Sequence, residues 1–70
     1  MTEQELKEQR EIIYSDGYIK IAFKYIQSED GSENFIANYK NKKLFKSSNF
    51  DYFNKHARKF ISAFELERVN

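Results

Sequence analysis

The side chains that could carry acid–base chemistry in this sequence centre on His56, the only histidine. Tyr52 lies four residues before it, so a helix would place both side chains on one face. A histidine that acts as a general base needs a nucleophile or an acid partner at a defined position, and the sequence marks neither. We therefore expect His56 to be a partly exposed residue on a helix flank, and we expect the protein not to be an enzyme.

Other kinds of reactive or ligand-binding site are also not marked in the sequence. The chain has no cysteine, which excludes thiol catalysis, disulfides and cysteine-based zinc sites. No histidine or carboxylate cluster has the spacing of metal ligands. The two glycines, Gly17 and Gly31, each follow an aspartate in a polar turn and do not form a phosphate-binding loop. We expect neither a metal nor a cofactor.

The basic residues are concentrated in the second half of the chain. Residues 1–35 carry a net charge of −4, whereas residues 36–60 carry +6. The cations of the second segment are Lys40, Lys42, Lys43, Lys46, Lys55, Arg58 and Lys59. Such a cluster attracts phosphate backbones or acidic protein surfaces, and Tyr39 or Tyr52 could stack on bases. These cations and two tyrosines are the predicted binding residues, although lysines on an edge strand also prevent edge-to-edge pairing without any ligand.

A C-terminal helix is the most clearly predicted element. At 100° per residue, its apolar side chains fall on one arc of the width that a core-facing helix shows. These side chains belong to Phe50, Phe53, Ala57, Phe60, Ile61 and Phe64. Ser48 and Asp51 have the spacing of a capping pair, and no glycine or proline interrupts the run to Glu67. We expect the phenylalanines of this helix to form part of the core.

Three segments have the alternation of β-strands, namely residues 18–26, 34–40 and 43–47. The residues predicted to face the core are Ile19, Ile21, Phe23 and Tyr25 in the first strand and Phe35, Ala37 and Tyr39 in the second. The connection Asn41-Lys42 suits a two-residue hairpin. The predicted fold is α+β: a three-stranded antiparallel meander packed on the C-terminal helix, with a short N-terminal helix.

The whole chain of residues 1–70 is short enough to form one domain at most. Thr2 and Glu5 have capping-box spacing, so residues 1–12 form either a peripheral helix or a frayed tail. The β-prone residues 12–14 precede an Asp-Gly turn signal, which either pairs them with the next strand or ends the helix. Ile26 and Ile36 point away from the predicted core face, toward the N-terminal helix or toward a partner.

Two resemblances to known families follow from the order of these elements. Three strands and a helix between residues 17 and 64 are similar to the arm-type DNA-binding domain of tyrosine integrases, in which the sheet enters the major groove. That resemblance implies DNA contacts from Lys20, Lys24, Lys40 and Lys42. Residues 59–64, Lys-Phe-Ile-Ser-Ala-Phe, follow a sheet with an Asp-Gly turn and a leading helix, and this resembles a type of small anti-CRISPR inhibitor. That resemblance implies inhibition of a larger host protein.

These patterns favour a non-enzymatic interaction protein, encoded by a phage or mobile element, that binds and inhibits or regulates a larger host protein. The alternatives are a small accessory DNA- or RNA-binding protein that uses the basic hairpin of residues 40–46, and a homodimeric structural domain. The acidic residues 2–5 do not resemble a signal peptide, and residues 18–26 are too short to span a bilayer. We expect a cytoplasmic protein without membrane contact.

Overall fold

Two helices and five strands make up the fold in the computed structural model, which describes all 70 residues. In chain order they are α1 (Glu3–Gln9), β1 (Glu11–Ser15), β2 (Lys20–Gln27), β3 (Glu33–Tyr39), β4 (Lys42–Ser47), α2 (Phe50–Ala63) and β5 (Glu67–Arg68). All neighbouring strands are antiparallel, in the order β4-β3-β2-β1-β5. The predicted α+β class, with a C-terminal helix on an antiparallel sheet, is confirmed, but three strands understate the sheet.

The residues 12–14 form the centre of β1, which pairs with β2 along its whole length. The turn between them is built by Asp16, whose Oδ1 accepts hydrogen bonds from the backbone N–H groups of Tyr18 and Ile19 at 2.8 and 2.7 Å. Gly17 has a φ of 99°, which glycine adopts at no steric cost. The Asp-Gly signal therefore marks a hairpin turn, and the alternative in which it ends the N-terminal helix is wrong.

The C-terminal helix ends at Ala63 and does not reach Glu67. Glu65 adopts a left-handed φ of 51°, and the Leu66 N–H donates to the Ile61 carbonyl at 2.9 Å, which closes the helix end. This bend turns Leu66 into the core, where its side chain is 6% exposed. The next two residues pair with β1 as β5. The predicted helix was too long because no glycine or proline marks its end, and a non-glycine residue, Glu65, adopts the left-handed conformation there.

The helix N-terminus is capped by Asn49, so the predicted capping pair of Ser48 with Asp51 is wrong. The Asn49 Oδ1 accepts the Tyr52 N–H at 2.9 Å, which satisfies one of the unpaired donors of the first turn. At α1, by contrast, the predicted capping box of Thr2 and Glu5 is present, with reciprocal hydrogen bonds of 3.0 and 3.1 Å.

The turn between β3 and β4, which we call the second hairpin turn, consists of Lys40 and Asn41, not of Asn41 and Lys42. Lys40 has a φ of 50° and Asn41 a φ of 65°, the pair of positive angles that a type I′ turn requires. The hairpin was expected at this point, but its turn lies one residue earlier because Lys42 pairs with Tyr39.

One face of the sheet packs against both helices around Phe53. The buried cluster consists of Leu6, Ile12, Ile21, Phe23, Tyr25, Phe35, Ala37, Phe53, Ala57 and Leu66. The Phe53 ring centroid lies 5.3–6.4 Å from those of Phe23, Phe35, Phe45 and Phe50. The core-facing residues predicted for β2 and β3 therefore lie on this face, which confirms the prediction. The predicted apolar side of α2 also faces the core, except that Phe64 is 43% exposed at the helix end.

Candidate interaction surface

The face of the sheet that points away from both helices is uncovered, and we call it the open face. α1 packs on the same side as α2, because Leu6 shares one core with Phe23 and Phe53. The alternative in which Ile26 and Ile36 meet the N-terminal helix is therefore wrong. Both isoleucines lie on the open face, where Ile26 is 44% exposed and Ile36 is half-buried.

Four apolar side chains form a diagonal band across the open face, in the order Ile13, Ala22, Ile36 and Ile26. Ile13 pairs directly with Ala22 across β1 and β2. Ala22 pairs with Asn38, and Ile36 is the next residue of β3 on the same face. Such diagonal neighbours in a sheet lie about 7–8 Å apart, close enough for long side chains to touch. The band therefore runs across three strands.

Three lysines stand around this band, Lys20 on β2 and Lys43 and Lys46 on β4, and a fourth, Lys24, lies within it between Ala22 and Ile26 and pairs with Ile36. The register places Lys43 opposite Asn38 and Lys46 opposite Ile36. The strand positions put only two acidic side chains on this face, Glu11 and, at the β5 corner, Glu67. Lys24 forms an ion pair with Glu11 at 3.5 Å, whereas the other three lysines have no acidic partner. The open face is therefore cationic around an aliphatic centre.

The structure divides the predicted cations between two layers of the molecule. Lys43 and Lys46 lie on the open face, while Lys55, Arg58 and Lys59 are exposed on the outer side of α2, the layer beyond the core. Lys40 lies in the second hairpin turn. Lys42 pairs with Tyr39, which packs against the core, so its side chain leaves the sheet edge on the helix side.

Neither predicted tyrosine accompanies the open-face lysines. Tyr39 is half-buried on the covered side, where the Lys40 Nζ lies 5.4 Å from its ring centroid. Tyr52 is 59% exposed on α2, and its ring meets His56 edge-on at 4.5 Å. His56 is half-buried beside Phe45, with ring centroids 5.8 Å apart. The two tyrosines thus lie on the layer that the helix occupies.

The Tyr25 side chain lies in the core, as predicted, and is 7% exposed. Its hydroxyl donates to the Glu33 carboxylate at 2.9 Å, and the Lys7 Nζ lies 3.2 Å from the same carboxylate. These two contacts, the tyrosine first, lower the pKa of Glu33. The network ties α1 to the start of β3 and leaves Tyr25 unable to reach a partner.

The exposed aromatic side chain near the open face is that of Tyr18, which is 95% exposed in the first hairpin turn. Its backbone is nevertheless fixed, because Asp16 accepts both its N–H and that of Ile19. These donors, Ile19 first, lower the pKa of the Asp16 carboxyl. An exposed ring thus projects from a turn whose backbone is held by hydrogen bonds.

The two edges of the sheet differ in how their backbone is satisfied. At the β1 edge, the side-chain amide of Asn70 takes the place of a strand: its Oδ1 accepts the Ile13 N–H at 2.7 Å and its Nδ2 donates to the Glu11 carbonyl at 3.2 Å. The Val69 N–H also donates to the Ile13 carbonyl at 2.8 Å. At the other edge, β4 has a strand on one side only. One edge is therefore covered and the other is free.

The structure brings together no group of three or more His, Cys, Asp or Glu side chains that could hold a metal ion. Neither helix has the length and apolar character that crossing a bilayer would need. No family model, curated protein or solved structure matches the chain. The open face is therefore the feature from which a function can be argued.

The apolar centre of the open face was only partly visible in the sequence. Ile26 and Ile36 stood out because they are large apolar residues at positions that point away from the predicted core face. DNA contacts from Lys20 and Lys24 were implied by one family resemblance. Ala22 was placed with Lys20 and Lys24 on the face away from the core, but Ile13 was missed because its strand was only one of two alternatives. The available signal was the alternation of β1 itself, in which Ile12 faces the core and Ile13 does not.

Proposed function

We propose that this protein is a non-enzymatic interaction domain that docks a larger protein partner on its open face. The observation that carries this proposal is the uncovered apolar band from Ile13 to Ile26, framed by lysines. Interfaces between proteins combine an apolar centre with a polar rim in this way. The lysines complement an acidic partner surface and speed the encounter. Inhibition or regulation follows where the occupied surface is one that the partner needs.

The chemistry of the band favours a protein over a nucleic acid. Single-stranded nucleic acids bind to grooves in which aromatic rings stack on bases. The centre of the open face is aliphatic, and the tyrosines predicted to stack, Tyr39 and Tyr52, lie on the helix side. Beside the open face a nucleic acid would find one exposed ring, that of Tyr18, and phosphate contacts from lysines, which carry no sequence information.

The free edge at β4 gives less support to a homodimer formed by strand pairing. Three of its six residues are lysines, and a register irregularity lies where β3 residues Ala37 and Asn38 meet it. Lysines and bulges on an edge strand are the features that discourage edge-to-edge pairing. A second copy on this edge would also have to bring two sets of like charges together.

A matched pair of charge reversals tests the proposal. Lys43→Glu with Lys46→Glu alters the open face, and Lys55→Glu with Lys59→Glu alters the outer side of α2 by the same net charge. Each tagged variant is incubated, with and without nuclease, in lysate of the cell in which the protein acts. The proposal expects a partner protein that the native chain and the helix variant retain and the open-face variant loses.

Three results would contradict the proposal. Equal loss in both variants would mean that net charge alone drives binding. A bound fraction that disappears with nuclease treatment and with moderate salt would indicate a nucleic acid, because phosphate contacts weaken steeply with ionic strength. A dimer mass in sedimentation that is lost in the open-face variant would mean that the band is a self-interface.

A further inference from the structure

A shallow depression of about 360 Å³ lies at the end of the open face that carries the β1–β2 and β3–β4 turns. Its lining includes two apolar residues of the band, Ile13 and Ala22. Around them stand Tyr18, Lys20, Lys24, Asn38, Lys40 and Asn41, together with Tyr39 and with Glu11, the ion-pair partner of Lys24. The depression thus combines an apolar floor with a polar and cationic rim, and it lies within the surface proposed above.

Tyr18 gives this rim an exposed aromatic side chain that is suited to binding. Large rings at interfaces contribute strongly because they bury much area while fixing few rotatable bonds. The hydrogen bonds that Asp16 accepts from the Tyr18 and Ile19 N–H groups already fix the backbone of the turn, so closing the Tyr18 ring over a ligand orders little more than that side chain. In the unbound chain the ring is 95% exposed, so it covers nothing of its own.

The charges around the depression select its occupant. Lys24 is already paired with Glu11, but Lys20 and Lys40 have no acidic partner. Lys20 is the first residue of β2 and Lys40 the first residue of the second turn, so both stand at the end of the face near Tyr18. In the unbound chain the Lys40 ammonium lies 5.4 Å from the Tyr39 ring centroid, and no carboxylate pairs with it or with Lys20. Two ammonium groups without a carboxylate, next to an apolar floor, favour an apolar side chain that has carboxylates next to it.

We propose that this depression receives one apolar side chain of the partner, with neighbouring carboxylates of the same segment against Lys20 and Lys40. This inference rests on the proposed function, because it assigns the anchor of the same interface. The depression is small and open, at the lower end of the ~300–1,000 Å³ range of small-molecule pockets. A side chain presented by a protein segment fits such a shape better than a free small molecule, whose surface would stay largely exposed.

The test is an NMR titration of the isotopically labelled protein with a nine-residue peptide that carries one phenylalanine between glutamates. We expect saturable shifts of the backbone amides of Ile13, Ala22 and Asn38. A second peptide with alanine in place of phenylalanine should bind at least about tenfold more weakly. Tyr18→Ala should weaken the first peptide by a similar factor, and so should Lys20→Glu combined with Lys40→Glu. The matched control, Lys55→Glu with Lys59→Glu, should leave affinity within about twofold.

Each contrary result overturns the inference. Equal binding of the two peptides would mean that charge alone is recognised. Shifts that map to α2, or no shift at millimolar peptide, would mean that the depression is not the anchor. Tighter binding of an oligothymidylate at the same amides would assign the depression to nucleic acid. If a captured partner is lost on Lys43→Glu with Lys46→Glu but kept on Tyr18→Ala, the proposed function stands and this inference fails.

Discussion

The two faces of the sheet are built from the same strands and yet differ in composition and in burial. In β2, Ile21, Phe23 and Tyr25 point into the aromatic core and are at most 7% exposed, whereas the alternate residues Lys20 and Lys24 face the other way. The period of two along a strand decides the face of every side chain. The covered face has large rings that interlock with Phe53, while the open face has isoleucines, an alanine and lysines that nothing covers.

This difference separates what holds the fold from what is free to bind. The core of a chain this short has little stability to spare, so most of it must come from the covered face. Substitutions on the open face remove little buried area and should leave the fold intact. The comparison can therefore be tested by matched substitutions that change one face at a time.

The largest expected contrast is between two isoleucines on opposite faces of the sheet. Ile21→Ala should lower the free energy of unfolding by about 2–5 kcal/mol, because Ile21 is 2% exposed and its loss leaves a cavity. Ile36→Ala should cost about 1 kcal/mol or less, since Ile36 lies half-buried on the open face. Urea unfolding measures both values. Equal losses would show that the open face is covered in solution, for example by a second copy.

The next contrast concerns the C-terminal segment around β5, which was not predicted to be a strand. Leu66→Ala should destabilise by about 2–3 kcal/mol, because Leu66 is buried where the helix end bends. Val69→Ala, three residues later and 64% exposed, should stay within about 0.5 kcal/mol. Thermal unfolding of both variants checks this. If Leu66→Ala were as mild as Val69→Ala, the segment would not be part of the core.

A third contrast concerns the start of α2, where two neighbouring residues are both good caps. Asn49→Ala should cost about 1 kcal/mol, because it removes the acceptor of the Tyr52 N–H. Ser48→Ala should have almost no effect, since the Ser48 hydroxyl makes no hydrogen bond. Urea midpoints distinguish the two. The reverse order would restore the cap predicted from the sequence.

These cases show which parts of the fold are local enough to be predicted. Alternation placed the core-facing residues of β2 and β3, and helical periodicity placed Phe53, because each pattern is contained in one element. The bounds of α2 were wrong for tertiary reasons. The cap is Asn49 and not Ser48, and the helix ends before Leu66, which is buried in the core after the left-handed Glu65.

The interaction surface was harder to predict because it is assembled across strands. Residues 13, 22 and 36 are far apart in the chain and become neighbours only through the pairing of β1, β2 and β3. The basic residues between 40 and 59 are close in the chain, but the connection from β4 to α2 carries them from the sheet to the helix layer. Closeness in sequence therefore grouped charges that the fold separates.

A smaller effect is expected from the acidic groups that tie elements together. Hydrogen bonds from Tyr25 and Lys7 hold the pKa of Glu33 below its ordinary value of 4.5. A lowered pKa means that the unfolded chain binds more protons in this range, so the contribution to stability is complete above pH 4.5 and is lost as the pH falls through the folded value. Glu33→Gln should reduce the decrease of the urea unfolding midpoint between pH 7 and pH 3. Glu29→Gln, at a residue with no hydrogen bond or ion pair, should leave that decrease unchanged.

The smallest effect on stability is expected where the effect on binding should be largest. Lys43→Glu with Lys46→Glu should change the free energy of unfolding by no more than about 0.5 kcal/mol, because neither lysine has an acidic partner and both are exposed. Unfolding in urea and an unchanged far-ultraviolet circular dichroism spectrum check this. A strong destabilisation would mean that these lysines contribute to the fold, and loss of a partner in this variant could then not be assigned to the open face. A stable variant that loses its partner would instead separate the two faces of the sheet into one that folds and one that binds.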